Sequence, residues 1–169
     1  MPRQLLRDGQ IVSDDWSYFT EVEDHPTEAL ILSFAQWQSE RETWIARGGR
    51  LGVVLQPSHK VELIAADIPH FALLCLEFAG PSEGRGYSQA RILREQLKFS
   101  GELRATGYVR QDQLFFMARC GFNSFELPAA DLINAKTALA TFSGAYQPSN
   151  DVGLTTRLQH RRLDTPASV

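Results

Sequence analysis

The chain has 169 residues, 43% hydrophobic and 22% charged, with a formal net charge of -3. This length fits one domain with a real core, and the acidic balance argues against a general nucleic-acid binder, which needs a basic surface. No apolar run approaches the roughly 20 residues of a membrane span and the N-terminus has no signal-peptide core, so a soluble cytoplasmic protein is expected.

In chain order, "QLLRDGQIV" sets Asp8-Gly9 between two short apolar runs, a signal for a two-residue hairpin. Residues 13–29 are acidic, with Trp16, Tyr18 and Phe19 interspersed and a break at His25-Pro26, and read as an irregular arm docking its aromatics on the domain. Strands are then expected at 29–34, 50–57, 70–78, 101–109 and 122–127. Between them, helices are expected at 35–49, 60–68, following the "GRGYSQAR" loop through about Lys98, and over 113–120 behind an Asp112 cap, with a last helix at 129–142. In the third helix Ala90, Leu93 and Leu97 face inward, and Arg91, Arg94, Glu95 and Lys98 face out.

Strands alternating with helices predict an α/β fold, an open, mainly parallel five-stranded sheet flanked by helices with an N-terminal β-hairpin arm, doubly wound because a barrel needs eight units. The chain divides as 1–28 (hairpin and acidic arm), 29–145 (α/β domain) and 146–169 (a tail expected to be partly disordered).

Such a fold binds ligands beyond the carboxyl ends of its strands. The loops there carry Gln56 and Ser58, then Glu83, Arg85, Tyr87 and Ser88, then Tyr108, Arg110 and Gln111, and finally Glu126. In "GRGYSQAR" (84–91), Gly84 and Gly86 permit positive φ and a close backbone approach. The helix N-terminus and Arg85 offer an anion site, Ser88 a cap or ligand contact, and Tyr87 with Tyr108 a stacking surface. A solvated strand-to-helix turn is the competing reading. Gln89 stands where a Rossmann fingerprint needs its third glycine, and no Gly-Lys-Ser/Thr follows, so neither familiar nucleotide loop is present.

Charge is uneven: Asp8 to Glu40 holds eight acids and no Lys or Arg, whereas Gly80 to Phe122 holds seven basic residues against four acids. A basic rim for an anion and an acidic arm facing a partner or second copy are one reading, and two solvated faces the other. Cys75 and Cys120 are too few for a zinc or iron–sulfur site and read as buried thiols; the four histidines lack metal-ligand spacing. Glu77, late in a central strand, needs a partner such as Arg104 if it points inward. "LFFM" (114–117) is apolar on more than one face, which core packing or a subunit interface explains.

The string "GRGYSQARILREQLKFSGELRATGYVRQDQLFFMARCGFNSFEL" resembles the bacterial family designated domain of unknown function 934, with its "GRGYS-AR-LR", "GELRA-G", "DQL" and "RCGF--FEL" segments. "IARGGRLGVVLQP" and the hairpin also fit. The matching residues are Gly84, Arg85, Gly86, Tyr87, Ser88, Arg91, Gly101, Glu102, Arg104, Asp112, Gln113, Gly121 and Phe122; the family often has an acid where Tyr108 stands here. The resemblance implies an association with sulfite reduction, since members are encoded beside the sulfite reductase haemoprotein subunit and carry an oxidoreductase label from that context. It carries no catalytic residues over.

Three functions are therefore weighed. One is an accessory protein of assimilatory sulfite reduction that has sulfite reductase as partner and binds a small anion or phosphate-bearing ligand through Gly84, Arg85, Gly86, Tyr87, Ser88, Arg91, Tyr108, Arg110 and Glu126. Another is a small oxidoreductase holding a phosphate-bearing cofactor such as a flavin. The third is a binding or regulatory module without chemistry. A homo-oligomer is compatible with each, and the sequence names no cofactor.

Overall fold

Asp8 and Gly9 both take positive φ, 50° and 74°, as a type I′ turn demands. The turn folds β1 (Gln4–Arg7) onto β2 (Gln10–Ser13) in antiparallel register, with Leu6 opposite Ile11. The computed structural model describes residues 3–20 and 29–142. The readings of the His25-Pro26 break and of the tail from 146 onward lie outside those residues.

Six parallel strands follow: β3 (Ser17–Tyr18), β4 (Ala29–Ser33), β5 (Arg50–Leu55), β6 (Phe71–Phe78), β7 (Glu102–Gly107) and β8 (Ser124–Phe125). Among the described residues they join the hairpin in one eight-stranded sheet of order β2-β1-β8-β7-β6-β5-β4-β3. The α/β class is as expected; the five-stranded, open, doubly wound arrangement is corrected. Strands β3 to β8 lie in strict chain order, so each crossover steps the same way. Right-handed crossovers then put every helix on one face. β1 pairs antiparallel with β8, Leu6 opposite Phe125, which makes the hairpin two further strands of the sheet.

The sheet is curled, and the chain itself requires it. Ser13 ends β2 at one edge and Ser17 opens β3 at the other, only four residues later. Four residues span at most about 14 Å, whereas seven interstrand steps in a flat sheet cover about 34 Å. The two edges must therefore roll toward each other, and residues 14–16, at the start of the stretch expected to be an irregular arm, are the seam that joins them.

Rolling creates two cores with alternating strand residues. Leu32, Val53, Leu74, Leu76, Phe78, Leu103, Ala105 and Phe125 point outward into a large apolar layer with Trp37, Trp44, Ile64, Leu93, Met117 and Leu139 from the covering segments. The opposite face encloses a smaller cluster of Trp16, Ala29, Ile31, Leu73 and Cys75. Both cysteines are free and buried.

The covering elements differ locally from expectation. The helix expected at 35–49 is two, α1 (Phe34–Ser39) and α2 (Arg41–Arg47), parted at Glu40 (φ -132°, ψ 33°). Ser33 starts α1 with a capping box, accepting from the Gln36 N–H while the Gln36 side chain accepts from the Ser33 N–H. Residues 61–70 form a 3₁₀ segment, and α3 (Arg85–Arg91) runs into a π-helical turn over 92–96. Arg94, expected to face out, turns back to donate to the carbonyls of Phe99, Gly101 and Gly121 at 2.7–2.9 Å. Burial lowers its pKa to about 10, so it stays charged at neutral pH. Asp112 does not cap a helix: it sits in a 3₁₀ turn ahead of α4 (Leu114–Cys120) and accepts from Arg110. A short 3₁₀ turn leads into α5 (Leu132–Phe142). Among the described residues no helix is long and apolar enough to cross a membrane.

Candidate functional site at the carboxyl edge of the sheet

The parallel strands direct the loops after β5, β6, β7 and β8 to one edge, and the residues singled out there fall into two groups. Arg85, Tyr87, Ser88, Arg91, Tyr108 and Arg110 lie on the helix-side rim, while Glu126 belongs to the enclosed face.

On the rim, Gly84 and Gly86 do not use the positive φ expected of them. Gly84 has φ -104° and α3 begins at the next residue, so right-handed backbone is already established. Gly86 serves close approach: a Cβ there would stand 2.6 Å from Cζ of Phe78, so α3 rests directly on the end of β6. The helix start already holds an anion, the chain's own. Glu83 accepts from the Arg85 N–H at 3.0 Å and from its Nε and Nη2 at 2.9 and 2.8 Å. Those bonds hold the Glu83 carboxyl below the usual carboxylate range. Ser88, read as a cap, sits exposed inside α3 with no capping bond.

Tyr87 packs edge-on against Phe78, ring centroids 5.3 Å apart, and against Phe116 at 4.9 Å. Phe116 is 47% exposed and Tyr108 38% exposed. The Tyr108 N–H donates to the Phe78 carbonyl at 2.8 Å, which ties the end of β7 to β6. Arg110 donates from Nε to Asp112 at 3.1 Å, and its pKa is raised, chiefly by the neighbouring Tyr108 side chain. Arg91 is exposed, and its pKa is raised, chiefly by Cys120 nearby. Beside this rim a groove of about 640 Å³ runs between Arg110, Asp112, Phe115 and Asp131.

The enclosed face carries a charge network centred on Arg104, which is fully buried. Its Nη1 and Nη2 grip both oxygens of Asp14 at 3.0 and 3.1 Å. Nε and Nη2 reach Glu102 Oε1 at 3.1 and 2.8 Å, and Nη1 reaches Glu126 Oε1 at 3.2 Å. These five bonds match the five donors of a guanidinium. Burial works against the charge, but the surrounding carboxylates outweigh it and raise the guanidinium pKa above its ordinary value. Arg3 adds a second cation against Asp14 and Glu126, and the Tyr18 hydroxyl donates to Glu126 at 2.9 Å. Burial also pushes the Cys75 thiol and the Tyr18 phenol upward, so both are protonated at neutral pH. Glu77 lies on the enclosed face, two residues after Cys75, but Arg104, the partner considered for it in that case, is committed to Asp14, Glu102 and Glu126.

Sequence reasoning named Glu126 and missed the rest of its surroundings: Arg3, Asp14, Tyr18 and Glu102. The available signal was the period-two alternation of Glu102, Arg104 and Thr106 with Leu103 and Ala105, a polar stripe along one face of a strand buried on both. Among the described residues no group of three or more His, Cys, Asp or Glu could hold a metal ion.

A rolled, singly wound β/α sheet, with helices on one face and a matched charge cluster inside the other, defines the class of this protein. The chain belongs to the family described as bacterial protein of unknown function (DUF934), whose sequence profile matches residues 52–155. That span takes in most of β5, the strands and helices after it, the 84–91 turn, Arg104 and Glu126; β1 to β4 precede it. A comparison with curated proteins finds no match.

Proposed function

We propose that the chain is a cytoplasmic accessory protein of assimilatory sulfite reduction that docks on the reductase through the helix-side rim of its sheet. The sulfite-reduction part of this reading rests on the family resemblance. The docking part is carried by one observation: Phe116 and Tyr108 are exposed at the carboxyl edge, with Tyr87 against Phe116 and Arg85, Arg91 and Arg110 on the same rim. Exposed aromatic and arginine side chains held on rigid elements are the residue types that anchor protein interfaces. The anion at the 84–91 turn is supplied by Glu83 within the chain, so the turn favours carboxylate-like groups, and a partner carboxylate or small anion there competes with Glu83 for Arg85.

The test is calorimetric titration of the purified protein with the sulfite reductase haemoprotein subunit at physiological salt. Saturable binding that Phe116→Asp weakens at least tenfold is expected. Absence of binding, together with normal sulfite reduction in a strain lacking the protein, sinks the reading.

The groove beside Arg110 and Phe115 favours a second reading, a small oxidoreductase holding a phosphate-bearing cofactor such as a flavin. Flavin absorbance in the purified protein supports it, and a colourless protein that does not bind added flavin removes it.

A further inference from the structure

The enclosed face balances its charges pair by pair, with one exception. Asp14 and Glu126 share Arg3 and Arg104, and Glu102 has Arg104 and Arg7. Glu77 lies on the same face, two residues after Cys75 of the inner cluster, half-buried near the carboxyl end of β6. Among the described residues it makes no hydrogen bond and no ion pair. Its register partner on β7 is Thr106, about 4.8 Å away across the ladder. Thr106 is 5% exposed and belongs to the same polar stripe as Arg104, and its hydroxyl likewise has no partner among the described residues. One row deeper, the fully buried Ser124 hydroxyl is also unpartnered.

An unmatched carboxylate beside an unmatched, nearly buried hydroxyl, at the carboxyl end of the two central strands, is a place prepared for a hydrogen-bond donor that brings one positive charge. We propose that the mouth of the curled sheet binds a small ligand through a primary ammonium or guanidinium head, which ion-pairs with Glu77 and donates to Thr106 Oγ1. The surrounding charges discriminate against other ligands. An anion meets Glu77 and Glu126 while all five donors of Arg104 are already engaged. A magnesium or calcium ion needs about six oxygen ligands, and one free carboxylate with one hydroxyl falls well short. An ammonium group is satisfied by two or three acceptors. This site lies on the opposite face of the sheet from the docking rim, and its failure leaves the docking reading untouched.

The test is an amide-resolved NMR titration of the full chain with n-butylammonium chloride, with n-butanol, sodium acetate and magnesium chloride as controls. The proposal expects saturable shifts at Glu77, Thr106 and Gly107 with n-butylammonium, and none with the controls. Glu77→Gln keeps the charge-free shape and should weaken the binding at least tenfold with an otherwise unchanged spectrum; Thr106→Val should weaken it severalfold. No saturable shift at tens of millimolar n-butylammonium, an equal response to butanol or acetate, saturation by magnesium instead, or full binding by Glu77→Gln each overturns the proposal.

Discussion

Replacing Arg104 with methionine tests whether the inner charge cluster holds the roll together. The guanidinium is fully buried and supplies five hydrogen bonds to three carboxylates, of which Asp14 is itself fully buried in its side chain. Removing one partner of a buried ion pair costs about 3–5 kcal/mol, because the other charge is left uncompensated. Here Asp14 and Glu126 keep Arg3, and Glu102 keeps Arg7, so the lower end applies, about 3 kcal/mol. For a protein of this size that is a fall of about 6–12 °C in Tm. Urea unfolding followed by the fluorescence of Trp16, Trp37 and Trp44 measures it directly. Combined with Asp14→Asn, the double variant should be more stable than the sum of the single losses implies, by about 1–3 kcal/mol of coupling. A loss below 1 kcal/mol, or strict additivity with Asp14→Asn, would refute the view that this pair locks the seam.

Three further outcomes follow from individual contacts. Gly107 has φ +80° and a Cβ there would stand 2.5 Å from the Phe78 carbonyl oxygen; Gly107→Ala should therefore cost about 2 kcal/mol or more in urea unfolding, and a neutral variant would show that the β6–β7 end can relax. Ser33→Ala removes half of the capping box on α1 and should cost about 1 kcal/mol, seen as a lower urea midpoint at unchanged m; an unchanged midpoint contradicts it. Asp15 is bonded by Arg50, and that bond lowers its pKa below the ordinary 3.8. A carboxylate depressed in the folded state stabilises above its unfolded pKa and loses that contribution as pH falls through the folded value. Half-exposed as the pair is, it is worth at most about 1 kcal/mol. The advantage of the wild type over Asp15→Asn should be flat from pH 7 to about 4 and shrink below; growth on acidification would contradict the assignment.

Much of the fold could be read from local chemistry. Asp8-Gly9 specified its turn because only a few residue types tolerate positive φ at both central positions. β6 showed as a continuous apolar run because both its faces are covered. Gly121 ended α4 in the left-handed conformation, φ 117°, where glycine is at ease. β3 was invisible because two residues, Ser17 and Tyr18, carry no periodicity; their pairing with Leu30 and Ile31 is a tertiary fact. The roll was hidden for the same reason. Strand order is not written in any single strand, and the charges that fill the enclosed face come from positions as far apart as Asp14 and Arg104, or Tyr18 and Glu126. The rim was legible as a place, since parallel strands send their loops to one edge, but not in its details. Glu83 as the ligand of Arg85, and Gly86 as a packing glycine, depend on where Phe78 and the start of α3 meet.

The central claim is that the exposed aromatic rim exists to bind the sulfite-reducing enzyme. Its most direct test compares the wild type, Phe116→Asp and Glu77→Gln in calorimetric titrations against the purified haemoprotein subunit at physiological salt. The account predicts saturable binding by the wild type and by Glu77→Gln, whose substitution lies on the opposite face, and at least tenfold weaker binding by Phe116→Asp. Equal affinity for all three proteins, or no binding by the wild type, would contradict it.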